Sequence, residues 1–114
     1  MDAKVQTKHI SDELVCRHVA AATDKIKSAT LGRQWWSFVN NALEEIIAET
    51  GCCEKVALSA MRRACGRCLI EYGGSIRNAW ITEEGKALLA LHEARQIAAS
   101  IPHAAPMIKT QGRL

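Results

Sequence analysis

Residues 42–67 read ALEEIIAETGCCEKVALSAMRRACGR, and the fold turns on the glycine inside them. Ahead of it, Leu43, Ile46 and Ile47 recur at three- and four-residue steps with Glu44, Glu45 and Glu49 opposite, the period of an amphipathic helix. Behind it, Val56, Ala57, Ala60, Met61 and Ala64 repeat the pattern, which predicts a third helix from about Cys53 to Arg67. Gly51 tolerates the left-handed conformation that stops a helix. The two helices therefore meet at a sharp turn, and the later one crosses the earlier with one face left outside. On that face stand Lys55, Ser59, Arg62, Arg63 and Gly66, with Arg67 at its end.

Downstream the period changes. Leu69-Ile70-Glu71-Tyr72 and Ala79-Trp80-Ile81 have strand character around Gly73-Gly74-Ser75, which predicts a hairpin with Arg77 and Asn78 near its tip. Thr82 with Glu83 and Glu84 opens a fourth helix to about Ser100, with Ala87, Leu88, Leu91, Ala94, Ile97 and Ala98 on its apolar face. Upstream, Ser11 caps a first helix that opens on Asp12 and Glu13, carries Leu14, Val15, Val19, Ala22 and Ile26 inward, and ends or frays over Thr23–Ser28. The second helix is expected to run from Thr30 to Glu49, so that Trp35, Trp36 and Val39 extend the stripe of Leu43, Ile46 and Ile47. The fold class expected is mostly α with a small β-hairpin wing. Residues 1–9 are expected to be a flexible N-terminus, 10–100 one domain and 101–114 a tail, since Pro102 and Pro106 end the periodicity.

The chain has 114 residues, room for one core. Its net charge of +3 is too small to name a partner, so the distribution of charge has to. The N-terminus shows no signal-peptide pattern and no stretch is apolar enough to span a membrane, so a cytoplasmic, reducing setting and no membrane partner are expected. The five cysteines, Cys16, Cys52, Cys53, Cys65 and Cys68, are then read as free and mostly buried.

Here a resemblance enters. The helix–Gly51–helix run, with Lys55-Val56-Ala57 and Ala60-Met61-Arg62-Arg63-Ala64, resembles the helix-turn-helix of winged-helix DNA-binding regulators. The segment from Leu69 to Gly73, then Ala79-Trp80-Ile81-Thr82-Glu83-Glu84-Gly85-Lys86-Ala87-Leu88-Leu89, is similar to the wing and following helix of that family, and small bacteriophage and mobile-element proteins look similar over this stretch. The resemblance covers roughly residues 42–91. It implies a winged helix-turn-helix fold and a small transcriptional regulator of double-stranded DNA. Helix 53–67 would lie in the major groove and the 73–79 wing on the backbone. The residues it singles out are Lys55, Ser59, Arg62, Arg63, Arg67, Arg77 and Asn78. It also implies a homodimer through the C-terminal helix. The alternative is a phage-type inhibitor that uses the same scaffold to bind a host protein or an antiviral defence complex, which the acidic Glu44, Glu45 and Glu49 would suit.

Other constellations carry less. Cys65-x-x-Cys68 with Cys52-Cys53 lacks the two spaced pairs of a structural zinc site, and the cysteines are read as core, with no metal and no cofactor. His9, His18, His92 and His103 are scattered, and His18 is expected to be exposed. No nucleophile–base pair or phosphate-binding glycine motif is evident, so a binding protein is expected and not an enzyme. Trp35 and Trp36 point about 100° apart if helical, one inward and one towards an interface; Tyr72 and Trp80 are expected in the core.

Overall fold

The computed structural model describes residues 4–100. The expected tail, with Pro102, Pro106 and His103, lies outside the described residues. Among the described residues the protein is mostly helical, with four α-helices, α1 (Asp12–Thr30), α2 (Ala42–Thr50), α3 (Glu54–Gly66) and α4 (Glu83–Ser100), and a two-stranded antiparallel sheet. Strands β1 (Ile70–Glu71) and β2 (Trp80–Ile81) pair Ile70 with Ile81 and Glu71 with Trp80. No helix among the described residues is long and apolar enough to cross a membrane.

The first helix starts as its sequence dictates. Ser11 Oγ accepts from the Leu14 amide, and Asp12 and Glu13 sit in the positive first turn. Its end differs from expectation. The helix does not stop over Thr23–Ser28 but runs to Thr30, where Leu31 turns left-handed (φ 56°) and the Gly32 amide closes on Lys27 O. The second helix therefore does not begin at Thr30. Residues 31–41 form a connection holding one 3-10 turn, Trp35–Ser37, and α2 starts only at Ala42. Asn40 sets that start: its Oδ1 accepts from the Ala42 amide, its side-chain amide donates to Ala79 O, and its own amide donates to Arg77 O. Trp36 and Val39, expected in the inward stripe, are exposed.

One cluster of buried side chains joins the four helices and the sheet. Ile10, Val15, Cys16, Val19, Ala42, Leu43, Ile46, Ala57, Ala60, Met61, Ala64, Ile70 and Ala79 lie at its centre. Alanines supply three of the four buried positions of α3, which lets its backbone approach its neighbours closely. Residues 4–9, expected to be loose, include a 3-10 turn at Thr7–His9 that packs on α3.

The junction between β2 and α4 is closely packed. The Thr82 hydroxyl donates to the carbonyls of Cys68 (2.7 Å) and Leu69 (3.0 Å) and accepts from the Gly85 amide (3.0 Å). A Cβ on Gly85 would sit 2.2 Å from Leu69 O and 2.7 Å from Ile81 Cγ1, so only glycine fits. Further along α4 the packing thins. Leu88 and Leu89 rest on the core, but Ala87, Leu91, Ala94, Ile97 and Ala98, assigned above to an apolar inner face, are exposed. Tyr72, expected inside, is exposed too, while Trp80 is half-buried.

Candidate nucleic-acid interface

Gly51 adopts φ 75° and its amide closes on Ile47 O (2.8 Å), ending α2 as its sequence requires. The Cys52 amide then donates to Thr50 Oγ1, Cys52 is buried, and α3 begins after Cys53. With Ala57, Ala60, Met61 and Ala64 turned inward, steps of four and three bring Lys55, Ser59 and Arg62 onto one outer face. Lys55 and Arg62 are exposed and Ser59 is half-buried. Among the described residues neither cation is held by a carboxylate.

The remaining expected residues are placed differently. Arg63 turns back towards the start of the chain. Its guanidinium donates to Asp12 Oδ1 (3.0 Å), to Thr7 O (3.0 Å) and to Ile10 O, so every branch is engaged inside the molecule. Arg67 pairs with the other oxygen of Asp12 while staying largely exposed. Arg77 does not project from a free wing tip. It reaches across to Glu44 Oε2 (3.4 Å) and to Glu54, joining the hairpin to the first turns of α2 and α3. Asn78 is half-buried, its Oδ1 shielded and without a hydrogen-bond partner. The loop around them is a 3-10 turn, Ile76–Asn78, whose Ile76 tucks into the core.

These pairings divide the charge unequally. Along the carboxyl-terminal half of α3 and just past it stand three guanidiniums, Arg62, Arg63 and Arg67, and the one carboxylate that pairs with any of them, Asp12, takes Arg63 and Arg67 and leaves Arg62 free. At the hairpin corner one guanidinium, Arg77, meets two carboxylates, Glu44 and Glu54. The surface beside Arg62 is therefore left with positive charge and the hairpin corner with negative charge. Composition could not reveal this, because the partners of Arg63 lie some fifty positions upstream.

Lys4 is a cation that the sequence reading does not single out. Lys4 lines a groove of about 530 Å³ with Val5, Gln6, Gly51, Cys52, Cys53 and Val56, beside the first turn of α3. Its place could not be read from the polar run at the start of the chain, because nothing local shows which helix that run lies along.

The cysteines are free, with Cys16 and Cys52 buried but Cys53 and Cys68 exposed, so fewer are core than expected. Burial pushes the Cys16 thiol up to about 11, with Asp12 and Glu13 adding to the effect. His18, expected to be exposed, is half-buried and bonds Glu49 at 2.6 Å. Comparison with known proteins found no matching family model, no matching curated protein and no matching solved structure.

Proposed function

We propose that the chain is a winged helix-turn-helix protein that binds duplex DNA, as a small transcriptional regulator, through the outer face of α3. The observation that carries this reading is the open row Lys55, Ser59, Arg62, which presents two unpaired cations and a small hydroxyl where a major groove offers phosphates and base edges. Arg67, only half neutralised by an Asp12 shared with Arg63, adds positive charge at the end of the same helix. The wing plays a narrower part than the resemblance implies. Arg77 fixes the hairpin against α2 and α3 rather than reaching for the backbone, and Asn78 is half-buried.

A homodimer through α4 belongs to this reading. From Ala90 onward the helix buries nothing fully, and Leu91 and Ile97 stand in water. Two copies paired there would set two α3 helices against one duplex.

The test is fluorescence anisotropy with random duplex DNA at several salt concentrations. Arg62→Ala is expected to lower the log–log salt slope by about one, the loss of one phosphate contact. Arg63→Met and Arg77→Ala are expected to leave the slope unchanged. An unchanged slope for Arg62→Ala, or no duplex binding at low salt, overturns the proposal. A second reading, binding of a host protein or defence complex, is favoured by the surplus carboxylate at the hairpin corner and by apolar side chains exposed on the α1–α2 connection.

A further inference from the structure

Between residues 31 and 39 the chain exposes Leu31 (82%), Trp36 (50%), Phe38 (49%) and Val39 (63%), the densest group of exposed large apolar side chains among the described residues. The segment is held, not slack. Leu31, Gly32 and Gln34 all have positive φ, and for leucine and glutamine that conformation is costly. Successive turns lock it: Arg33 N to Thr30 O, Ser37 N and Oγ to Gln34 O, and Phe38 N to Trp35 O. Trp35 anchors it from beneath, edge-on to Trp80 (5.7 Å) and to Trp36 (5.9 Å), with the Lys27 ammonium 4.5 Å over its ring. Beside it a groove of about 530 Å³ is lined by Ile26, Ala29, Thr30, Arg33, Gln34 and Phe38.

The charged side chains of this segment itself are basic, with Asp24 and Glu44 just outside it. Lys25, Lys27 and Arg33 stand in or next to it, and no Asp or Glu occurs from residue 25 to residue 43. We infer that the α1–α2 connection is a docking site for an acidic, amphipathic segment of a partner protein, which would seat large apolar side chains in the groove and set its carboxylates against Arg33, which lines the groove, and Lys27, over Trp35. Residues 101–114 of this chain do not suit it, since their charged side chains are Lys109 and Arg113. A single nucleic-acid strand suits it poorly. Leu31 and Val39, the most exposed of the group, offer no ring for a base to stack on, and the ring of Trp35 is already covered. The inference goes beyond duplex binding and engages none of Lys55, Ser59 or Arg62.

The experiment uses the full chain and fluorescein-labelled synthetic peptides read by anisotropy. One peptide alternates Glu with Leu and Phe; the controls replace Glu by Lys, or Leu and Phe by Ser. Labelled oligo-dT and duplex DNA are run alongside. The acidic apolar peptide is expected to bind in the micromolar range and both controls at least about tenfold more weakly. Phe38→Ser and Arg33→Glu are each expected to weaken it by about tenfold while duplex affinity and circular dichroism stay unchanged. Arg33 is an exposed side chain, so its variant tests charge without touching the core. Equal binding of the three peptides, preference for oligo-dT, or linker variants that change only the sedimentation of the protein would each overturn the inference. Loss of duplex binding by Arg62→Ala with peptide binding intact would separate the two surfaces.

Discussion

Two connections in this molecule carry opposite packing. Between β2 and α4 the chain is pressed so closely that Gly85 has no space for a methyl group and the Thr82 hydroxyl makes three hydrogen bonds. Between α1 and α2 the chain holds strained backbone and leaves Leu31, Trp36, Phe38 and Val39 in water. The tight connection spends its residues on fixing one helix against the hairpin. The open one is fixed by its own backbone turns, by Asn40 and by Trp35 from below, and leaves its apolar side chains without a partner among the described residues. A threonine, an acidic pair and a glycine in a row thus have a structural meaning here that owes nothing to DNA.

The sharpest way to break this contrast is to fill the tight side. Gly85→Ala is expected to cost about 3 kcal/mol, because the new Cβ meets the backbone carbonyl of Leu69, which cannot rotate away as a flexible side chain could. Urea unfolding measures it; a loss below 1 kcal/mol would mean that the junction is slack. Trp36→Ala on the open side, which removes a half-exposed ring and its edge contact with Trp35, is expected to cost only about 1 kcal/mol, the contrast in its simplest form.

Arg63 comes next in size. Arg63→Met removes the donor that satisfies the Thr7 and Ile10 carbonyls and one oxygen of Asp12, and about 2 kcal/mol of stability is expected to go with it. The salt slope of DNA binding should not move, whereas Arg62→Ala should do the reverse. If Arg63→Met leaves stability intact and lowers the slope, the assignments of these adjacent arginines must be exchanged.

Leu31 sharpens the comparison from the open side. It holds a left-handed conformation with its side chain 82% exposed, so its strain is offset by no packing of its own. Leu31→Gly is expected to raise stability by roughly 0.5 kcal/mol, strain relief slightly exceeding the entropy that glycine adds to the unfolded chain. A loss of more than 1 kcal/mol would show that the Leu31 side chain is held by the fold.

The two connections also differed in how far they could be read. Gly51, the inward set of α3, and the run from Thr82 to Gly85 follow from local rules: a left-handed stop, a helical period, a cap. The open connection was misread because Trp35, Trp36 and Val39 happen to stay in phase with Leu43 and Ile46, so the period continued through a segment that is not a continuous helix. The contrary signals were Leu31-Gly32, a stop, and Asn40, whose side chain starts α2. Of the candidate site, Lys55, Ser59 and Arg62 could be placed by helical steps alone. Arg63, Arg67 and Arg77 could not, since what turns each aside is an acidic group or carbonyl distant in sequence.

The smallest expected effect concerns how the helices flanking the open connection are joined at their other ends. Glu49, in the last turn of α2, takes the Arg17 guanidinium on both oxygens and His18 on one, linking it to the early part of α1. The Arg17 hydrogen bond, then that of His18, holds the Glu49 carboxyl below its ordinary 4.5. A folded-state value below the unfolded one gives stability that is present above about pH 4.5 and is lost as pH falls through the lowered value. The melting temperature of the native chain should therefore exceed that of Glu49→Gln by a small margin near neutral pH, and the margin should close in acid. Glu49 is exposed, so solvent screens the cluster and added salt should shrink the margin as well. A margin that does not narrow in acid would mean that it does not arise from the charge of Glu49.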